Sequence, residues 1–316
     1  NIKILDRIKK LVIPPAWKMV QIANSSKDKI QCIGIDDKNR KQYKYNPEYI
    51  KEQTINKYYK CLIKFGKKIN IIREDVEKLL RENKSWNLEK TLAFIILILD
   101  KCHLRVGNEI YKETNMSYGI TTLEKRHIII KTNKVYLNFV GKKNVENSCV
   151  FEDKEIVKLF KSLYKKFNHK ENESFFKYIN NNGDIYNITS SHINDFLKNY
   201  GDFSAKNFRT WSANELIIIY LLNNIKEINN EDINSLSERK INMLVNNSID
   251  LVSNDLNNTR AICKKSYICN DILDDFKTNR LDFVNEIKKL GRNKLKNCNK
   301  YESILLKLLN KYKSKN

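Results

Sequence analysis

Two hydrophobic periods divide this chain. Through residue 47, apolar and polar positions alternate in short runs, WKMVQIAN, KIQCIGID and KQYKY, broken by the polar stretches SSKD and DDKNRK. Period-two alternation punctuated by turn residues predicts a small antiparallel sheet. All three prolines, Pro14, Pro15 and Pro47, fall in this segment. Beyond about residue 55 the pattern changes to long helical periods without proline. An α+β architecture follows, with a β-rich amino-terminal domain, 1–55, before a larger, mostly α-helical domain, 56–316.

Within the second part, SWNLEKTLAFIILILDKCHL reads as a buried helix with Ser85 as its N-cap. A short β insertion follows, RHIIIK, VYLNFVG and SCVF, joined by the polar turns TNK and KKNVEN. From DKEIVKLFKSLYKKF onward the chain reads as helical again. SSHINDFLKNY opens on serine caps, SAKNFRTWSANELIIIYLL is one long helix, and the last forty or so residues form basic amphipathic helix. The longest apolar run, LAFIILIL at 92–99, is far short of the roughly twenty residues of a membrane span. A soluble, intracellular protein is expected.

Charge narrows the partners. Lys and Arg number 59 against 37 Asp and Glu, a formal net charge of +22. Abundant Asn, Ile and Lys point to an AT-rich coding genome, but such drift does not favour Lys over Glu. An excess of this size suits a polyanion, with nucleic acid ahead of an anionic membrane surface. The seven cysteines include no C-x-x-C, and the four histidines do not approach them at zinc spacing. Free thiols in a reducing compartment are the simplest expectation. No Gly-rich phosphate loop is present.

One tyrosine stands among cations, Tyr267 in CKKSYICND. A phenol that attacks a phosphodiester needs fixed positive charge on the non-bridging oxygens, which guanidinium forks supply. It also needs an acid for the leaving alcohol, a role open to lysine. Arg105 in HLRVGNEIY, Lys142 in NFVGKKN and Arg209 in KNFRTWSANE provide these groups. Taken singly, each has an ordinary reading: a helix-end arginine paired to a carboxylate, a solubilising turn lysine, a packing tyrosine.

Taken jointly, IPPAW, GIDDKNRKQYKY, LRVGNEIY, SYGITTL, FVGK, FRTW and NNTRAICKKSYI, from residue 13 to 268, resemble the type IB DNA topoisomerases of the small poxvirus and bacterial kind. The resemblance implies the tyrosine recombinase/topoisomerase IB catalytic fold. It also implies duplex DNA as partner, a monomer clamping that DNA, and catalysis without metal, nucleotide or other cofactor. It makes Tyr267 the nucleophile of a 3′-phosphotyrosyl intermediate, Arg105 and Arg209 the phosphate clamp, and Lys142 the general acid, with Arg105 assisting proton relay. Asn258 stands where the poxvirus enzymes have histidine, and an amide there donates a hydrogen bond without bringing charge. Thr259-Arg260 replaces the usual T-P and adds a cation near the site. Asn257 replaces glycine at a position that tolerates left-handed backbone.

In the amino-terminal domain, Gln42, Tyr43 and Tyr45 match positions that touch DNA in the poxvirus enzymes, with Arg40, Lys41 and Lys44 beside them for phosphates. Gln suits adenine in the major groove. Tyr111 matches a further DNA-contacting position. Lys206 in KNFR occupies the place where tyrosine recombinases carry histidine, and joins the DNA-facing cations. A site-specific tyrosine recombinase and a non-enzymatic basic DNA-binding protein are the competing readings. Composition and mixed viral and bacterial traits suggest a large DNA virus as source, and so a viral particle or a site of DNA replication or transcription as its place of action.

Overall fold

Alternation in the first segment becomes a three-stranded sheet in the computed structural model, which describes residues 2–226, 235–290 and 300–314. The chain divides between Lys60 and Cys61 into two units. The first opens with α1 (Ile2–Lys10), an element the alternation does not anticipate. Strands β1 (Lys18–Ile22), β2 (Ile30–Ile35) and β3 (Lys41–Tyr45) then pair antiparallel in sequence order. Period two puts Tyr43 and Tyr45 on one face of β3, where their rings stack with centroids 6.0 Å apart. Helix α2 (Pro47–Ile55) starts on Pro47, whose missing N–H costs nothing there. Asn46 caps it by accepting the Glu48 N–H at 2.8 Å.

The second unit is mainly helical. Helices α3 (Ile63–Glu82) and α4 (Leu88–Cys102) pack together, and α4 buries nine of its fifteen residues, among them the whole run from Thr91 to Ile96, as a helix apolar on all sides of its middle must. Its cap is Asn87, not Ser85. The Asn87 amide oxygen accepts the Lys90 N–H at 2.9 Å. Trp86 is buried just ahead of that cap, its indole donating to Ser162 at 3.0 Å, which fixes where the helix begins.

Helix α5 (Glu109–Asn115) leads to the expected β insertion, with β4 (Ile128–Ile130), β5 (Val135–Gly141) and β6 (Val145–Phe151) in one antiparallel sheet. After α6 (Lys154–Phe167) the expected return to helix is interrupted by a hairpin, β7 (Lys177–Ile179) with β8 (Ile185–Asn187). Its turn is built by Asn180, whose side-chain oxygen accepts the N–H groups of Asn182 and Asp184, and by Gly183 at φ 89°. Helix α7 (Ser190–Lys198) is capped by Thr189, which accepts the His192 N–H, and not by either serine.

Helices α8 (Lys206–Lys226), α9 (Glu238–Asp255), α10 (Arg260–Ser266), α11 (Asn270–Thr278), α12 (Arg280–Leu290) and α13 (Lys300–Lys313) complete the unit. The carboxy-terminal stretch is helical over α12 and α13, while 291–299 lie outside the described residues. Among the described residues no helix is long and apolar enough to cross a membrane.

The expectation of free thiols fails at one pair. Cys102, the last residue of α4, is disulfide-bonded to Cys149 on β6, with Cα atoms 6.0 Å apart. Cys32, Cys61, Cys263 and Cys269 are free, and Cys298 lies outside the described residues. A spacing of 47 residues carries no local signal of such a pairing. Closing a loop of that length restricts the unfolded chain, so Cys149→Ser should lower the stability of the oxidised protein by about 2–4 kcal/mol. Denaturant midpoints measured with and without reductant check this. Equal midpoints for the variant and the oxidised parent would show that the bond contributes nothing.

Candidate active site

Helix α4 ends by turning sharply. His103 adopts left-handed backbone, φ 53°, and its N–H returns to the Leu99 carbonyl at 3.1 Å. The following residues, carrying Arg105, rest on the SYGITT segment. Ile120 N–H donates to the Arg105 carbonyl at 2.8 Å, and Thr121 N–H to that of Val106 at 2.7 Å. Gly107 (φ 104°) and Gly119 meet back to back: a Cβ on Gly119 would lie 2.4 Å from the Gly107 nitrogen. Only glycine allows this approach. The same segment reaches the β insertion, where Tyr118 N–H donates to Val140 at 2.9 Å, two residues before Lys142. One support therefore carries both the Arg105 loop and the Lys142 hairpin.

Arg209 enters from α8. Lys206 and Arg209 are one turn apart and share a face. Arg209 is only 3% exposed. Its Nη1 donates to the His103 carbonyl, and its Nη2 to the Leu256 carbonyl at 2.7 Å. Both acceptors are helix C-caps, of α4 and α9, where carbonyls lack intrahelical partners and carry the negative end of the dipole. The guanidinium thus ties two helix ends together, and its Nε remains buried without a partner. Asn257, at φ 47°, turns the chain after α9 as expected of a left-handed position. Asn258 follows, and its side-chain oxygen accepts from Arg105 Nη2. Its Nδ2 is left buried and unpaired.

Tyr267 is the C-cap of α10 and 8% exposed. The Arg209 guanidinium stands 5.2 Å from its ring centroid. Asn214, fully buried five residues further along α8, holds the tyrosine's backbone: Nδ2 donates to the Tyr267 carbonyl at 2.8 Å, while Oδ1 accepts the Cys269 N–H at 2.7 Å. Burial pushes the Tyr267 phenol up, but Arg209 and then Arg105, with Lys206 beyond them, outweigh it and hold the phenol below its ordinary value. Burial in turn lowers the Arg209 guanidinium to about 10, against the pull of Tyr267. Leu104, Arg105, Val106, Ala205, Lys206, Arg209 and Tyr267 line a cleft of about 160 Å³.

Arg105, Lys206, Arg209, Asn258 and Tyr267 are thus brought together from positions spread over most of the second unit. Lys142 is not among them. It sits in the exposed β5–β6 turn with its ammonium 5.8 Å from the Tyr111 ring centroid. Arg260, expected to add a cation near the site, pairs through two guanidinium nitrogens with Asp250, one helix upstream. In the first unit Arg40 and Gln42 both donate to Asp36 at 2.9 Å, and Tyr43 and Tyr45 are exposed. Asn214 and the SYGITT support were missed as site residues. The first sits at a fixed offset from Arg209 on one helix, a signal that periodicity alone does not interpret. Among the described residues no cluster of three or more His, Cys, Asp and Glu side chains could hold a metal.

Residues 41–294 match the family model for the eukaryotic DNA topoisomerase I catalytic core, and residues 1–36 that for the bacterial DNA topoisomerase IB amino-terminal domain. The DNA topoisomerase 1B of Acanthamoeba polyphaga mimivirus is 30% identical over 290 residues, covering 89% of this chain and 82% of the relative. The DNA topoisomerase 1 of Rabbit fibroma virus (strain Kasza) is 22% identical over 86% of this chain and 79% of its own length. The DNA topoisomerase 1B of Vaccinia virus (strain Western Reserve) is 24% identical over 80% and 75%. With residues 41–294 matched to the catalytic-core model and viral relatives aligned over most of its length, the chain belongs to the type IB DNA topoisomerase family.

Proposed function

We propose that the protein relaxes supercoiled duplex DNA as a monomer, through the catalytic fold that tyrosine recombinases share, with Tyr267 as nucleophile. The phenol, eased by Arg209 and Arg105 into giving its proton to solvent, bonds through its oxygen to the scissile phosphorus as the bond from phosphorus to the 5′ oxygen breaks. A 3′-phosphotyrosyl bond forms, and Lys142 gives the departing 5′ oxygen its proton. Arg105, Arg209 and Asn258 Nδ2 hold the non-bridging oxygens as charge builds on them. One phosphodiester is exchanged for another, so the reverse attack reseals the strand without nucleotide. Superhelical torque turns the duplex in the interval.

The observation that carries this reading is the pair of buried, unpaired donors, Arg209 Nε and Asn258 Nδ2, beside a phenol under two guanidinium groups. Buried donors without acceptors are costly, and a phosphate would satisfy both. On the amino-terminal unit, Gln42, Tyr43, Tyr45 and Arg40 would face the duplex. Arg40 would exchange Asp36 for a phosphate, an easy trade for an exposed ion pair. Tyr111 and Lys206 would add contacts near the break.

A nicked duplex whose short 5′ fragment diffuses away after cleavage traps the intermediate. Proteolysis of the adduct should yield the peptide containing Tyr267. Plasmid relaxation should proceed in EDTA without ATP and without paired target sites, which also separates it from site-specific recombination. An adduct on another residue, or an absolute need for metal or nucleotide, would overturn the assignment.

A further inference from the structure

We infer that Glu302, on the carboxy-terminal helix α13, is a positioning residue for Arg209, acting through Trp211. The inference rests on the reading of Arg209 as a phosphate contact. Glu302 is 2% exposed, a carboxylate sunk in the helical core. Its Oε1 accepts the Trp211 indole N–H at 3.0 Å and Arg73 Nη2 at 2.8 Å, and its Oε2 accepts Arg73 Nη1 at 2.9 Å. Arg73, on α3, turns its other edge to Asp100 on α4, with Nε to Oδ2 at 2.8 Å and Nη2 to Oδ1 at 3.0 Å. One guanidinium fork thereby joins carboxylates from α4 and α13, and the α13 carboxylate holds the indole of α8.

The network meets α8 itself and one of the two helix ends that moor Arg209. Trp211 is two residues beyond Arg209, about 200° around the helix at 100° per residue, so the two side chains leave α8 on opposite sides. Pinning the indole on the far side fixes the rotation of α8 and with it the direction of the arginine. Asp100 lies one turn before His103, whose carbonyl receives Arg209 Nη1. The seat for the indole is cut to size. A Cβ on Gly66 of α3 would fall 2.2 Å from the Trp211 ring, so α3 offers a flat surface there and the ring is wedged between α3 and Glu302. Apolar packing would join these helices without desolvating a charge. What the carboxylate, indole and guanidinium add is direction, because such hydrogen bonds are strong and geometrically exacting.

The test uses the full chain, with Trp211→Phe and Glu302→Gln, in single-turnover cleavage of two trapping duplexes. One carries the ordinary scissile phosphate. In the other a methyl group replaces a non-bridging oxygen, making the phosphonate neutral and removing the charge that Arg209 would meet. On the phosphate duplex, cleavage should fall about fivefold for Trp211→Phe and about 10- to 100-fold for Glu302→Gln, with duplex affinity within about twofold of the parent. On the methylphosphonate duplex both variants should cleave within about twofold of the parent. Unchanged cleavage on phosphate, or an equal loss on both duplexes, overturns the inference and leaves the network a structural brace. Should Glu302→Gln fail to fold, Trp211→Phe decides by the same comparison. A parent protein that forms no adduct at Tyr267 removes the catalytic reading, and this inference falls with it.

Discussion

Tyr267→Phe should abolish covalent capture of DNA while duplex binding persists. The substitution keeps the ring beneath Arg209 and removes only the attacking oxygen, so the loss in strand cleavage should exceed about 10⁴-fold. Among the described residues that line the cleft, the others are Leu104, Arg105, Val106, Ala205, Lys206 and Arg209, none of which offers a hydroxyl or thiol. Affinity for duplex should survive because it rests on the charge excess of the whole chain, not on the phenol. It should decline with added salt, because counterions released on binding gain less entropy in a more concentrated solution. Gel analysis of the denatured adduct and filter binding on the same preparation separate the two effects. Residual adduct formation by the variant would show that another side chain is the nucleophile.

Lys142→Ala should slow cleavage by about 10²- to 10⁴-fold, the range for loss of a positioned proton donor. The diagnostic is the leaving group. With sulfur in place of the 5′ oxygen, departure as a thiolate needs no proton, since a thiol ionises near 8.5. The variant should then approach the parent rate. Slow cleavage of both substrates would assign Lys142 to binding and move the acid elsewhere. The position of Lys142 makes the test sharp. Its ammonium rests over Tyr111 in an exposed turn and does not line the Tyr267 cleft, so duplex must draw it to the break. The hairpin is well placed to be drawn, because the SYGITT support holds its root to the Arg105 loop while the turn itself stays exposed.

Local order was largely legible in the chain. Alternation in KQYKY gave the faces of β3, because side chains on a strand alternate whatever surrounds them, whereas in β2 an irregularity between Ile30 and Cys32 leaves Ile30 exposed and Gln31 buried. The continuous apolar run of α4 announced a helix buried on all sides. Where the reading slipped, several residues of one chemical type competed for one role. Ser85 and Asn87 are both good caps, and the burial of Trp86 selects Asn87. Ser190 and Ser191 lose to Thr189 in the same way. The β7–β8 hairpin escaped because three-residue strands are too short to display a period, although N-N-N-G marks its turn.

By itself the sequence determined the chemical inventory: a phenol, two arginines, a lysine and an amide, each in a recognisable local setting, and the periods of the elements that bear them. Which of these groups meet was decided only by tertiary structure. Arg209 reads the carbonyl ends of α4 and α9, Arg105 reaches Asn258, and Cys102 finds Cys149, all across separations that no local pattern encodes. Arg260 shows the converse, a cation next to the site in sequence whose partner in the structure is Asp250 of α9. The reason is physical. Periodicity reports how one element divides between core and solvent, whereas an active site is made where the ends of several elements converge, and their unpaired backbone groups choose the side chains they will hold.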